Sequence, residues 1–339
     1  MHKILKDSYF GEQYSGGFLE TGIALPSELV GRIRDHYAQK AHGHNDFPKF
    51  FVNNEHQSYL ESWALGTFMT AFPRTAKKMV KNFYGKAYTK AVYSEQVFIE
   101  EIMKHLLANG IRKLFKTRYL VVGYDMYLRN THKAPPAGIH SDMPNFHHFY
   151  ETENDISFYI PLVDLNEANG GRLSVLPEDK LKVPGSILLK ALYDHFSRIP
   201  ACVDDRGYVD PDKVSDEALA AFIKSRPYQE LMSTYKSLTG LAKSCYAKDF
   251  RPTEESAGRV LFFNNKNFHA AEQWRNPDYD REVYVIRTFP IYDVKIKLRG
   301  TLHGVPVNKF LVDMEAGEIR RYDREVDIAS IPDDQKVAL

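Results

Sequence analysis

The chain of 339 residues can bury a large core, and its hydrophobic (43%) and charged (26%) fractions are typical of a globular protein. Its 45 basic and 44 acidic residues leave a formal net charge of +1, which argues against nucleic-acid or anionic-membrane partners. The sequence has no membrane-length apolar run, no secretory pattern around Asp7 and only two cysteines, so we expect a cytoplasmic protein with reduced thiols.

The first part of the chain, residues 1–117, is predicted to be mainly helical. The stretch SELVGRIRDHYAQ (27–39) places Leu29, Ile33 and Tyr37 at helical spacing after a Pro-Ser start. A second helical pattern covers residues 94–115, and Asn109-Gly110 predicts a break within it.

From about residue 118 the hydrophobic period changes to that of β-strands, rich in β-branched and aromatic residues. Turn sequences, and not regularly alternating helices, separate these strands. The pattern therefore favours an antiparallel barrel or jelly roll over a doubly wound sheet. The predicted strands cover residues 118–130, 155–165, 172–177, 258–265 and 281–298.

No repeat or flexible linker divides the chain, so residues 1–339 are interpreted as one catalytic domain. Its barrel core would span 118–298, and 299–339 would form a C-terminal extension. A helical insertion at about 185–250 interrupts the core. Helices inserted into a barrel either cover its mouth as a lid or pack against its wall, and the sequence leaves both alternatives open.

A His-x-Asp pair, His140 and Asp142, follows the first predicted strand of the barrel. Such a pair is weak evidence alone, because His44 and Asp46 form another in a polar loop. Side chains at i and i+2 of an extended segment project to the same side, so His140 and Asp142 can reach one cation. His269, directly after a later strand, would supply the third ligand. Two histidines and one carboxylate leave three coordination positions open, as in non-haem Fe(II) oxygenases.

The order His140-x-Asp142, His269, Arg281 resembles the Fe(II)/2-oxoglutarate-dependent dioxygenases, in particular the phytanoyl-CoA hydroxylase-like group. Three stretches are similar to that group: FLETGIALPSELVGRI (18–33), YIPLVDLNEANGGRLSVLPEDK (159–180) and GRVLFFNNKNFHAAEQ (258–273). The resemblance implies a mainly β fold with α-helices, a double-stranded β-helix (a jelly-roll, cupin-like barrel) with N-terminal helices and a helical insertion. It also implies Fe(II), 2-oxoglutarate and O₂ as cofactor and co-substrates, with ascorbate as the reductant for assays in vitro.

The resemblance also implies roles for individual residues. His140, Asp142 and His269 would bind the metal, and Arg281 would bind the distal carboxylate of 2-oxoglutarate. Arg287 is the rival for that second role, because residues 281, 283, 285 and 287 share one face of an ideal strand. Tyr127 matches a position from which relatives send a polar group to the co-substrate. The small hydroxyl residue that often follows the distal histidine by two positions is replaced here by Ala271.

Phe146, His147 and His148 follow Asp142 and would line the substrate side of the pocket. Related halogenases have Gly or Ala in place of the aspartate, so Asp142 favours oxygenation. The resemblance implies oxidation of a C–H bond in a small-molecule metabolite, by hydroxylation, desaturation or oxidative cyclisation, as 2-oxoglutarate yields succinate and CO₂. Two alternatives stay open: a cupin-like metalloenzyme that does not use 2-oxoglutarate, and a binding protein in which the triad is accidental. No oligomeric state is predicted.

Overall fold

The computed structural model describes most of the region from residue 89 onwards and one earlier segment. The described residues are 18–41, 89–93, 95–115, 117–132, 134, 136–142, 155–181, 185–289, 301–302, 305–323, 327 and 330–332. The predicted substrate-side residues Phe146, His147 and His148 lie outside these ranges.

The described residues of the N-terminal part include two helices, both close to their predicted positions. The first, α1, spans Ser27–Ala41, and the second, α2, spans Ile99–Ala108. The predicted break after α2 is confirmed: Gly110 adopts a left-handed φ of 87° and a short 3₁₀ turn, Ile111–Leu114, follows. The described residues of the same part also contain strands β1 (Phe18–Ala24) and β2 (Thr89–Tyr93).

The predicted change to strands is confirmed by a large antiparallel sheet. Besides β1 and β2 it contains β3 (Tyr119–Asn130), β4 (Ile156–Pro161), β7 (Arg259–Asn264), β9 (Arg281–Phe289), β12 (Phe310–Asp313) and β13 (Glu318–Arg321). The strands run in the order β1-β7-β4-β9-β3-β12-β13, and β2 also pairs with β3. The region 299–339, predicted only as an extension, thus adds β12 beside β3 and β13 beside β12.

A smaller antiparallel sheet contains β5 (Leu173–Val175), β6 (Arg251–Pro252) and β8 (His269–Ala271), in the order β6-β5-β8. An antiparallel bridge between His140 and His269 adds the segment 136–142 beside β8. A separate hairpin joins β10 (Thr301–Leu302) to β11 (Val305–Pro306). All pairings between these strands are antiparallel, as the turn-rich sequence predicted.

Strand alternation gives the large sheet two apolar faces. On β9, Tyr284 and Ile286 pack in one cluster with α1 and α2, and we call this the helix-side face. Val283 and Val285 point the other way, into a cluster shared with the small sheet, and we call this the inner face. The inner cluster joins the two sheets through Met126, Tyr159, Leu261, Phe263, Leu173, Val175 and Trp274.

The helical insertion consists of α3 (Gly185–Phe196), α4 (Asp216–Lys224) and α5 (Arg226–Cys245), close to the predicted range. Its apolar residues form a third buried cluster, which includes Leu176 and Phe268 from the small-sheet region. Through these contacts the insertion packs against the small-sheet region. None of the helices within the described ranges has the length and hydrophobicity needed to cross a membrane.

Candidate metal centre

Two segments of the small sheet bring the predicted ligands together. The main chains of His140 and His269 exchange two hydrogen bonds, of 3.0 and 2.7 Å, so that their side chains are direct cross-strand neighbours. Asp142 follows two residues later on the same side, and its N–H donates to the carbonyl of Asn265 at 3.0 Å. This pairing explains how residues distant in the chain converge.

The three side chains each offer a ligand atom within 4.8 Å of the others. The carboxylate of Asp142 lies between the two imidazoles, with Oδ1 3.7 Å from Nε2 of His140 and Oδ2 3.8 Å from Nε2 of His269. These separations are too long for hydrogen bonds but suit three donors around one ion. Asp142 and His269 are buried, and His140 is partly buried.

Both imidazoles are held in the tautomer that leaves Nε2 to coordinate a metal. Nδ1 of His140 lies 2.6 Å from the carbonyl of Gly138, and Nδ1 of His269 lies 2.9 Å from the carbonyl of Asn267. A carbonyl only accepts, so each Nδ1 carries the proton and each Nε2 presents a lone pair. Such backbone partners orient histidine ligands in metal sites.

Arg287 supports the carboxylate ligand from the inner face of β9. Its Nη1 donates to Oδ2 of Asp142 at 2.6 Å and to Oδ1 of Asn265 at 2.6 Å. The same nitrogen also donates to the hydroxyl of Ser157, the residue opposite Arg287 on β4. Arg287, the alternative to Arg281 for binding 2-oxoglutarate, is therefore hydrogen-bonded to a predicted metal ligand.

The electrostatic environment favours the protonation states needed for coordination. Burial by itself would raise the pKa of Asp142, but the charge of Arg287, with smaller contributions from His269 and His140, lowers it well below its usual range. Burial lowers the pKa of His269 to about 4, and the neighbouring His140 adds to that shift. At neutral pH the site thus holds an anionic carboxylate and a neutral His269 imidazole.

Arg281, also on the inner face of β9, is buried near the turn that precedes β5. Its Nε donates to the carbonyl of Gly171 at 2.9 Å, and its Nη2 donates to the hydroxyl of Tyr159. Gly171 has a positive φ of 69°, and a Cβ there would lie 2.8 Å from Cδ of Arg281. Within the described part of the chain, no carboxylate forms an ion pair with Arg281. A buried guanidinium without an acidic partner is suited to an anionic ligand.

The strand register relates Arg281 to the metal ligands. On the small sheet His269 pairs with Val175, Ala271 pairs with Leu173, and Gly171 lies two residues before Leu173. The direction from His269 past Ala271 therefore leads to Gly171, where Arg281 is bound. The guanidinium of Arg281 and the three predicted metal ligands therefore follow one another along the small sheet.

The predicted role of Tyr127, to place a polar group beside the co-substrate, requires a correction. Its ring stacks on Tyr37 of α1 with centroids 4.6 Å apart, and its hydroxyl donates to Oε2 of Glu282 at 2.8 Å. Tyr127 belongs to the helix-side cluster, whereas Arg281 projects from the inner face. The large sheet itself separates the two side chains, so Tyr127 does not belong to this site.

Sequence reasoning missed Ser157 and Tyr159 as parts of the site. In the strand ISFYIP (156–161) they alternate with Ile156, Phe158 and Ile160, which pack on the helix side. A polar face in an otherwise apolar buried strand was the available signal. Asn265 offered no such signal, because its role depends on the turn between β7 and β8.

The sequence matches no family model and no curated protein. Among solved structures, ThoJ, a non-heme monooxygenase in a Ni complex, aligns over 94% of this chain and 91% of its own, with 12% identity and a TM-score of 0.38. HygX from Streptomyces hygroscopicus, with nickel and 2-oxoglutarate bound, aligns over 65% of this chain and 81% of its own, with 11% identity and a TM-score of 0.33.

The non-heme alpha-ketoglutarate-dependent epimerase SnoN from nogalamycin biosynthesis aligns over 60% of this chain, with 11% identity and a TM-score of 0.32. The alignment spans 61% of the epimerase's own length. At these scores the similarities carry neither a fold nor an activity over to this chain.

Proposed function

We propose that this chain is an Fe(II)/2-oxoglutarate-dependent dioxygenase on a double-stranded β-helix, similar to the phytanoyl-CoA hydroxylase-like group. It would oxidise a C–H bond of a small-molecule metabolite by hydroxylation, desaturation or oxidative cyclisation, with conversion of 2-oxoglutarate to succinate and CO₂. The observation that carries the proposal is the convergence of His140, Asp142 and His269, with both Nε2 atoms beside one carboxylate.

The donor set fits a ferrous ion. Two imidazoles and one carboxylate on one side of an ion leave positions for an oxo acid and O₂. A ferrous ion bound here would supply the activation of O₂ that is coupled to decarboxylation of the oxo acid. The chain's own contribution is to fix the ligands: Gly138 and Asn267 orient the imidazoles, and Arg287 keeps the Asp142 carboxylate ionised.

Arg281 and Tyr159 are suited to hold the distal carboxylate of 2-oxoglutarate. The Tyr159 hydroxyl accepts a hydrogen bond from Arg281, so its own proton can be donated to a ligand. Burial raises the pKa of Tyr159, so the hydroxyl keeps that proton at neutral pH. Tyr159 would thus supply the hydroxyl that Ala271 lacks.

The experiment that tests the function begins with the protein and Fe(II) without oxygen. Adding 2-oxoglutarate should produce the metal-to-ligand charge-transfer absorption of an oxo acid chelated to ferrous iron. With O₂ and ascorbate, the same protein should then release succinate in response to one member of a metabolite library. A metal spectrum unchanged by 2-oxoglutarate would favour the cupin-like metalloenzyme, and a His269→Ala variant with undiminished metal affinity would make the triad accidental.

A further inference from the structure

Tyr235, in the middle of α5, reaches from the helical insertion to the metal-binding segment. Its hydroxyl donates to the carbonyl of Ser141 at 2.9 Å and accepts from the N–H of Ser141 at 2.9 Å. Ser141 is the residue between His140 and Asp142. A single buried hydroxyl therefore holds both main-chain polar groups of the residue that links two predicted ligands.

The ring of Tyr235 contacts the other half of the triad. It lies against the ring of Phe268, with centroids 6.1 Å apart and ring planes 26° apart. Phe268 is fully buried and directly precedes His269. One side chain of the insertion thus touches the sequence neighbours of all three predicted ligands.

This arrangement follows from strand alternation. In the segment 139–142, His140 and Asp142 point to the shared metal position, while Ile139 packs on the cluster of the insertion. Phe268 and His269 divide in the same way between the insertion and the site. The ligand-bearing segments therefore have the metal position on one side and the insertion on the other.

We propose that Tyr235 is a positioning residue that couples the helical insertion to the metal centre. This inference rests on metal binding by the proposed triad. Docking of α5 fixes the backbone between His140 and Asp142 at the spacing that the ion requires. Because coupling between two equilibria is reciprocal, metal binding must in turn stabilise the docked helix.

A matched pair of variants tests the coupling. Tyr235→Phe keeps the ring beside Phe268 but removes both hydrogen bonds to Ser141. Tyr228→Phe removes the hydroxyl of a buried tyrosine in the same helix and cluster, whose ring lies 5.1 Å from that of Phe222. Titration with Co(II), a spectroscopic substitute for Fe(II), should show a loss of affinity of about 10-fold or more for Tyr235→Phe alone, the usual effect of removing a support of metal ligands.

Hydrogen exchange provides a second measurement, and its wild-type arm does not depend on the stability of either variant. In the wild-type protein, Co(II) should slow amide exchange in residues 226–245, and in Tyr235→Phe this effect should be reduced or lost. If Co(II) leaves the amide exchange rates of α5 unchanged in the wild-type protein, the coupling is overturned. Equal Co(II) affinities of Tyr235→Phe and wild type would also overturn it.

The failure of this inference is distinguishable from failure of the proposed function. The wild-type protein could bind Co(II) and protect the amides of α5, while its metal spectrum stays unchanged on addition of 2-oxoglutarate. That result would support the coupling and contradict the dioxygenase function. A wild-type protein that does not bind Co(II) or Fe(II) would overturn both.

Discussion

Two buried polar clusters lie on opposite faces of the large sheet and differ in how far protein groups satisfy them. On the helix-side face, Asp125 accepts hydrogen bonds from the N–H of Gln96, at 3.0 Å to each oxygen, and from the hydroxyls of Tyr37 and Tyr284. Glu282, on the same face, accepts from Tyr127 and pairs with Arg34 at 3.1 Å. Each acid there is enclosed by donors from the protein.

The inner-face cluster retains binding capacity. Nε2 of His140 and of His269 lie beyond hydrogen-bonding distance of Asp142, and Arg281 forms no ion pair with a described carboxylate. Buried polar groups are normally satisfied, so groups with capacity left over indicate a ligand. Buried charge alone therefore does not identify a site: the helix-side acids fasten helices to the sheet, whereas the inner groups keep unused hydrogen-bonding and coordination capacity.

The largest expected effect separates the two buried aspartates. Asp142→Ala removes the one anionic ligand and should weaken Fe(II) or Co(II) binding by about 100-fold or more, and abolish oxygenation. Asp125→Asn should leave metal affinity unchanged while lowering the free energy of unfolding by about 1–3 kcal/mol, because a buried acceptor of three donors is altered. Metal titration and urea unfolding of both variants measure these outcomes. Equal losses of metal affinity would remove the distinction between the two faces.

The next effect separates the two arginines of the inner face. Arg281→Leu should weaken 2-oxoglutarate binding by about 10- to 100-fold with the metal still bound, because charge-assisted hydrogen bonds to a carboxylate are lost. Arg287→Leu should act mainly on metal affinity, because it leaves the Asp142 carboxylate buried without its cation. Anaerobic titrations with metal and then with 2-oxoglutarate measure both. A larger loss of 2-oxoglutarate affinity in Arg287→Leu would exchange the two assignments.

Part of the fold and part of the candidate site could be predicted from the sequence. Local patterns were sufficient for α1, for the break at Gly110 and for β3, because periodicity and left-handed glycine are local properties. The convergence of 140, 142 and 269 was also predictable as a pattern, and the structure brings these residues together. Short strands such as β6 and β8 were missed, because two or three residues carry no readable period.

The contacts between secondary-structure elements could not be predicted from the sequence. Strand period placed Arg281 and Arg287 on one face but did not show that Asp142 approaches only Arg287. Tyr127 was assigned by its position on the strand before the motif, and the face of β3 on which it lies depends on a register irregularity near Gly123. Pairing register and side-chain direction, and not residue type, decided both cases.

A smaller effect tests how the inner face holds Arg281. In Gly171→Ala the new Cβ would lie 2.8 Å from Cδ of Arg281 and 2.8 Å from Cε3 of Trp274, so the arginine must move. We expect weaker 2-oxoglutarate binding with little change in metal affinity. Gly317→Ala is the matched control, because Gly317 has a similar φ of 71° with no atom within 4 Å of a new Cβ. Both variants should lose about 1–3 kcal/mol of stability from backbone strain, and equal 2-oxoglutarate affinities would contradict the role of Gly171.

The smallest effect concerns Glu255, an inner-side carboxyl whose environment contrasts with that of Asp125. Glu255 pairs across the backbone with Leu165 of the inner cluster, so its side chain faces the inter-sheet space. Its Oε1 is buried and has no hydrogen-bond partner among the described residues. Burial, assisted by the charge of Glu20, raises the pKa of Glu255 to about 7.

A raised carboxyl pKa means that the folded protein holds this proton more tightly than the unfolded chain, whose ordinary value is 4.5. The contribution of Glu255 to the free energy of unfolding is therefore fully present below pH 4.5, the ordinary pKa, and is lost as the pH rises through about 7. Glu255→Gln cannot ionise, so it should gain stability relative to wild type between about pH 5 and about pH 8 in urea unfolding. A difference between the two proteins that stays constant across this range would contradict the raised pKa of Glu255.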